Sequence, residues 1–526
     1  MKRTPKLMVA ALGASLVLAA CGDAPESKTA AESDSFGNSI DLVDGYDPDG
    51  HFDWAYVAFA SSWDPILSIN GGDQNFYEPV YDRLLYEGID GELEPMLATE
   101  FTPADDGKSL TLKLREGLTF SDGEPFNAEA VKFNLDRARG EESKINGELY
   151  QVTSVDIVDD YTVTLELSGS IGSLPVALAN RAGMMVSPAA AKSGKLDAGP
   201  VGIGPYTAAD IEAGNKVNYE LTPDYWDTDA QRVKTMTYYY MPDDQTRINA
   251  MKSGELDGMT APATELDNMA EEGFTPIVQP SSLVLYFAVN TSVEPFGDPE
   301  VRKAINMAIN REEISQGLYD GYCTAQIQPF PESSPGYSDK IGDGLDIWGY
   351  DPEEAKKILE DAGVTEPIEV ATAAPNVTIY TKFAEVLQDQ LADVGINVEI
   401  HSIPPSEMVQ EFSIDKVTET FTTISTGIND PDVINSRYIA KTSLFNPGNT
   451  DYPDLTKYGN EGASTFDPDE RKVAYEKYMD AWVETPPHLI PVCMVEGNSV
   501  FADNVSGVIQ RANGYVSLRG VAVAKE

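Results

Sequence analysis

Side chains able to do chemistry are sparse and scattered in this chain. Its three histidines, His51, His401 and His488, lie far apart, and none sits in an HExxH or similar metal-binding pattern. No CxxC pair, GxSxG nucleophile elbow or GxxxxGK[ST] phosphate loop occurs. The stretch GIGPY, from Gly202 to Tyr206, could pass for half of a dinucleotide loop. Pro205 stands where a helix would have to start, however, and the full GxGxxG spacing is missing. Carboxylates number 86, so a pair of them at any given spacing carries almost no information. These residues give no argument for an enzyme, a resident metal or a cofactor.

The three cysteines are more telling. Lys2, Arg3 and Lys6 precede an apolar run from Leu7 to Ala20, which Cys21 closes. A bilayer-spanning helix needs about 20 apolar residues, so the run is too short to span and reads as a cleaved secretory signal, residues 1–20. Leu18-Ala19-Ala20-Cys21 resembles the bacterial lipobox, whose thiol receives a diacylglyceryl group and becomes the first residue of the mature chain. Two acyl chains on one residue meet the requirement for stable anchoring, at roughly 0.8 kcal/mol per buried CH₂. The next segment, 21–40, is polar, acidic and small, with little to bury, and is expected to be a flexible tether. In an oxidising compartment Cys323 and Cys493 are candidates for a disulfide, worth about 5 kcal/mol in the chain-entropy model. Two buried free thiols fit the sequence equally well.

Charge removes whole classes of function. Without the signal, 34 basic residues face 86 acidic ones, a net charge near −52. A nucleic-acid binder clusters Lys and Arg against phosphate, so nucleic acid is excluded as a partner. Attachment to anionic lipid by charge is excluded too, which makes a lipid anchor the more necessary.

The elements that would position any site alternate between strand and helix, which makes the class α/β. SLTLKLREGLTF alternates as a half-buried strand should, and DYTVTLEL and KTMTYYYM read as further strands. NAEAVKFNLDRAR has helical spacing with Asn127 at the N-cap, and DDQTRINAMKSGELDG is a short helix stopped by Gly254. DPEVRKAINMAINREEISQGLYDG predicts one longer helical region, with Pro299 in its first turn and Gly317 and Gly321 punctuating its end. DPEEAKKILEDAG, YTKFAEVLQDQLADVGINVEI and DPDERKVAYEKYMDAWVET supply further helices, and HLIPVCMV an apolar strand.

Several long stretches together resemble the extracytoplasmic solute-binding proteins of the dipeptide, oligopeptide and nickel class (family 5), which serve ABC importers. TFSDGEPFNAEAVKF and PEVRKAINMAINREEI are the most specific, with VGIGPY, LTPDYW, GYDPEEAKKILEDAG and YEKYMDAWVETPPHLIPV following in the family's order. The resemblance covers nearly all of the mature chain. It implies a two-lobed periplasmic-binding-protein-like fold of the class II type, with an extra domain inserted in the N-terminal lobe. The first lobe is expected at 41–87, 201–284 and 495–526, the inserted domain at 88–200 and the second lobe at 285–494. It further implies a monomer that closes around a solute by hinge motion and docks on ABC-transporter permease subunits, anchored by Cys21 on the outer face of the cell membrane.

The resemblance does not name the solute. Dipeptide binders of this class hold the ligand's amino group with an aspartate shortly before an Asp-Pro-Asp-like segment. Here that segment is STGINDPDVIN and the position is Gly427, with Ile428, Asn429 and Asp430 beside it. An arginine that often holds the carboxylate maps onto Ala374, in VATAAPNVT. A buried ligand charge without a partner is costly, so a dipeptide held in that manner is disfavoured unless Asp430 or another charge takes over. Longer peptides held through their backbones, a metal chelate, or an oligosaccharide stacked on Trp63 remain open, with Asn376 and Tyr438 as further contacts. Trp63 equally suits a packed core. A surface protein that kept the fold for signalling or adhesion is the other class of reading.

Overall fold

The computed structural model describes residues 36–525, apart from 69, 70, 90, 105, 170, 406, 426–429 and 466. The proposed signal, Cys21 and most of the tether lie outside the described residues. The end of the tether does not behave as expected from its composition. Phe36 stacks on Tyr322, the Gly37 carbonyl accepts from Val278 N–H, and Ser39–Ile40 pairs antiparallel with Val508 and Ile509. One aromatic ring and a free strand edge are enough to bring residues 36–40 into the fold.

An eleven-stranded mixed sheet runs through both lobes. One half carries Ile396–Ile403, Ile368–Pro375 and Thr420–Ser425. The other carries Gly258–Met259, His51–Tyr56, Thr235–Tyr240, Lys216–Leu221 and Tyr206–Glu212. Between them lie two long antiparallel strands, Thr275–Val289 and Leu489–Phe501, each serving both lobes. Thr275–Gln279 pairs with Gly497–Phe501 on the N-terminal side, and Leu283–Ala288 pairs with Leu489–Val495 on the C-terminal side. The register slips between Gln279 and Leu283. Pro280 has no N–H to give the ladder, so pairing must break there. Side-chain and loop groups patch the gap: Ser281 Oγ donates to the Val495 carbonyl at 2.6 Å, and Ser282 N–H to that of Ala512 at 2.9 Å.

A separate four-stranded antiparallel sheet, Ala98–Pro103, Ser109–Leu114, Thr162–Leu167 and Val152–Asp159, forms a side body with its own core between Leu84 and Ile203. Its helix Ala128–Ala138 starts where expected, with Asn127 Oδ1 accepting from Ala130 N–H at 3.0 Å, a cap worth about 1 kcal/mol.

The motif residues are structural, each for a visible reason. A Cβ on Gly202 would lie 2.2 Å from the Tyr81 ring, and one on Gly204 would lie 2.4 Å from the Pro79 carbonyl oxygen. Close approach to 79–81, rather than a turn, therefore demands those glycines. Tyr225 and Trp226 of LTPDYW both donate to buried Asp82 Oδ2 (2.6 and 2.7 Å), while Arg519 takes Oδ1 at 3.1 Å. Buried Arg302 and Arg311 of PEVRKAINMAINREEI donate to carbonyls of Pro486 and Pro491, tying their helices to the start of the second long strand.

That last motif is also where the helix expectation fails. The region is two helices, Pro299–Ala308 and Arg311–Tyr319. Ile309 is extended (φ −95°, ψ 115°), and Asn310 caps the second helix through Glu313 N–H at 3.1 Å. Gly317 lies inside that helix, which ends at left-handed Asp320 and Gly321. A local cap and two anchored arginines outweigh an unbroken apolar periodicity.

Candidate functional site

Where the two lobes face each other across the long strands they enclose a cavity of about 270 Å³. The N-terminal wall includes Tyr56, at the end of its strand, with Asn75 and Arg247. The C-terminal wall includes Tyr380, Arg437, Tyr438 and Phe445, and the floor at the strand crossing carries Tyr286, Glu496 and Tyr515.

Aromatic rings dominate. Tyr438 packs edge-on to Tyr286 (centroids 5.9 Å apart, planes at 83°) and leans on Phe445 at 5.0 Å. Burial pushes the phenols of Tyr56, Tyr286 and Tyr380 well up, so they are neutral hydrogen-bonding groups at any physiological pH.

Charge is scarcer. Arg247 is 1% exposed and occupied: it donates to the carbonyls of Met241 (2.6 Å) and Thr260 (3.1 Å) and pairs with Asp244. It builds the wall. Burial, the larger influence, holds its guanidinium below the usual arginine range despite Asp244. Arg437 is half-buried, in the helical segment Ile434–Ile439, with its guanidinium 5.1 Å from the Phe445 centroid and 5.6 Å from that of Tyr438. Cation–π contact holds that charge at the cavity wall in a fixed orientation. Lys382 is exposed at the mouth.

The sequence-derived candidates fare unequally. Tyr438 lines the cavity. Gly427, Ile428 and Asn429 lie outside the described residues. Trp63 is 8% exposed and packs against Phe59 and Tyr77 in the N-terminal core, so the packed-core reading applies and stacking on a sugar does not. Asn376 is exposed, and neither it nor Asp430 is among the cavity-lining residues, although Pro375 and Val377 are. Asp430 is committed elsewhere, its Oδ2 to Arg471 at 2.7 Å and its Oδ1 to Asp432 N–H at 2.9 Å. It cannot take over an amino-group anchor without breaking a buried ion pair, a loss of about 3–5 kcal/mol. Ala374 is buried in strand Ile368–Pro375.

Arg437 and the tyrosines at 56, 286, 380 and 515 were not singled out from sequence. The one signal for Arg437 was a cation beside Tyr438 just after DPDVIN, in a chain otherwise short of basic residues. Cys323 and Cys493 are joined by a disulfide that fixes the short strand Cys323–Ala325 to the long strand Leu489–Phe501. Among the described residues no group of His, Cys, Asp and Glu could hold a metal ion.

Comparison with known proteins agrees with this fold. The family model of the bacterial extracellular solute-binding proteins, family 5 (middle region), matches residues 92–447. The glutathione-binding protein GsiB of Pectobacterium atrosepticum is 28% identical over 443 residues, covering 81% of this chain and 85% of that protein. The solved structure of the binding protein AgaA from Agrobacterium tumefaciens R10, in complex with agropinic acid, superposes with a TM-score of 0.83 at 24% identity. It covers 91% of this chain and 99% of its own. The Helicobacter pylori binding protein DppA, in complex with the peptide STSA, gives 0.82 at 23% identity, with 91% and 99% covered.

Proposed function

The chain belongs to the bacterial extracellular solute-binding proteins of family 5, and on that premise we propose that it captures a small carboxylate-bearing solute between its lobes and delivers it to an ABC-importer permease. The family is one of binding proteins, not enzymes. Arg437 carries the proposal: it is the half-buried cation of the cavity wall, oriented by two rings, at a point where a ligand anion would lose water and need a partner. Glutathione, agropinic acid and peptide, the ligands named for the three relatives, all carry carboxylates. A volume of about 270 Å³ is just below the roughly 300–1,000 Å³ of ligand pockets, which favours a compact solute over a long peptide.

Closure would be the signal to the permease, and the solute's differential affinity for the closed form would supply it. One copy suffices, because a single chain furnishes both walls. Among the described residues no helix is long and apolar enough to cross a membrane. Leu18-Ala19-Ala20-Cys21 supports attachment through a diacylglyceryl group on Cys21, with the body on the outer face of the cell membrane.

Native mass spectrometry of the chain from residue 36, purified without denaturation, tests the reading. One discrete small mass, or a short ladder spaced as amino-acid residues, with carboxylates on every species, is expected. A neutral sugar as the sole co-purified solute would overturn the role given to Arg437.

A further inference from the structure

The side body reaches across to the C-terminal lobe. Tyr150 Oη donates to Asp432 Oδ2 at 3.0 Å, and Ser173 Oγ donates to the same oxygen at 2.9 Å. Both donors belong to the side body, while Asp432 opens the helical segment that leads to Arg437 and Tyr438. Asp432 is 1% exposed and Ser173 is 7% exposed. Beside them a Cβ on Gly172 (φ +38°) would lie 2.2 Å from the Ala463 carbonyl oxygen of the C-terminal lobe, so the two surfaces meet without space to spare. Both donors lie outside the sheet that carries the register slip at Gln279–Leu283. A hinge opening there must separate them.

We propose that Tyr150, Ser173 and Asp432 form a clasp made only when the lobes close, which holds the segment bearing Arg437 and Tyr438 in its binding position. Asp432 is thus a positioning residue for the cavity, and the side body acquires a part in solute capture. The inference rests on the two-lobed solute-binder reading and adds to it the contact that sets the balance between closed and open forms.

The groups around the Asp432 carboxylate are Asp430 with its partner Arg471, Asn435, and the phenols of Tyr150, Tyr475 and Tyr478. Burial first, then the charge of Asp430, pushes its pKa up to about 6. When the lobes part, the carboxylate loses the Ser173 and Tyr150 hydrogen bonds, which lower its pKa, and gains water. Relief of burial, the larger influence, brings the pKa down, while Asp430 stays beside it and keeps it above the ordinary value of about 3.9. The closed form therefore takes up a proton that the open form lacks in a window that ends at about pH 6. Closure is favoured as pH falls through that window, and the advantage is lost as pH rises through about 6.

The test is a pulsed-EPR distance between spin labels at Val158 of the side body and Val473 of the C-terminal lobe, both exposed. It is run on the chain from residue 36 with and without a tryptic casein hydrolysate as the peptide probe. The wild type should populate the short separation of the closed structure, and more so at pH 5 than at pH 7, by up to about tenfold in the closed-to-open ratio. Tyr150→Phe with Ser173→Ala should shift the distribution to longer distances at unchanged Tm. Asp432→Asn, which keeps an acceptor oxygen, should stay closed but lose the pH response. The donor-side double variant keeps the test valid if changes at Asp432 unfold the segment. A wild type that never reaches the short distance, or a double variant that reaches it equally, overturns the clasp. A wild type that closes without responding to the hydrolysate would count against a peptide solute and leave the clasp standing.

Discussion

The guanidinium of Arg437 lies over the ring of Phe445, 5.1 Å from its centroid, and so faces the cavity from a fixed position although the two residues are eight apart in the chain. Removing the charge while keeping the chain length isolates its role. Arg437→Met should weaken binding of the co-purified solute about 10- to 100-fold, the loss of a hydrogen-bonded charge partner, with little change in Tm. Titration calorimetry reads this directly. An unchanged Kd would place the anchor elsewhere.

The disulfide between Cys323 and Cys493, whose Cα atoms are 5.5 Å apart, closes a loop with a sequence separation of 170. Replacing both by serine should lower unfolding free energy by up to about 5 kcal/mol in the chain-entropy model. Urea unfolding of wild type in reducing and non-reducing buffer should show the same gap, and the double variant should show none.

His488 is fully buried, with Nε2 hydrogen-bonded to the Phe445 carbonyl at 2.8 Å and Nδ1 to Tyr452 Oη at 3.1 Å. Burial lowers its pKa to about 4. The unfolded chain takes up the proton near 6.5, so the native advantage is intact above pH 6.5 and declines as pH falls to about 4, by up to about 3 kcal/mol. Urea unfolding between pH 7 and 4.5 should follow this slope in the wild type, and His488→Gln should flatten it. Asp432, whose pKa is raised, acts in the opposite sense, so the difference between the two proteins is the quantity to read.

Cys21→Ala should release the protein from membranes. Fractionation with palmitate labelling should find wild type labelled and in the membrane pellet. The variant should be unlabelled and in the soluble extracytoplasmic fraction. Label retained by the variant would mean another residue is acylated.

What could be read in advance was whatever rests on local pattern. Asn127 announced its helix because a cap needs one side chain and the N–H groups next to it. Gly254, left-handed at φ 75°, announced a helix end for the same reason. The break inside 299–319 is harder to read: Asn310 caps the second helix locally, but the apolar periodicity runs on past it, and Arg302 and Arg311 reach carbonyls some 180 residues away. Trp63 was drawn towards the cleft by its type, yet its neighbours are Phe59 and Tyr77, which only folding selects.

The sequence by itself determined the class, the family and the order of elements, since these follow from periodicity, capping and motifs carried on contiguous residues. The acidic balance likewise needed no structure to argue against nucleic acid as a partner. Tertiary structure alone decided the site. Arg437, Tyr56 and Tyr515 come to line one cavity, from its two walls and its floor, and Tyr150, Ser173 and Asp432 form one contact, only after two long strands cross between the lobes. Their proximity is set by the sum of many strand registers and packed faces, and no spacing along the chain encodes it.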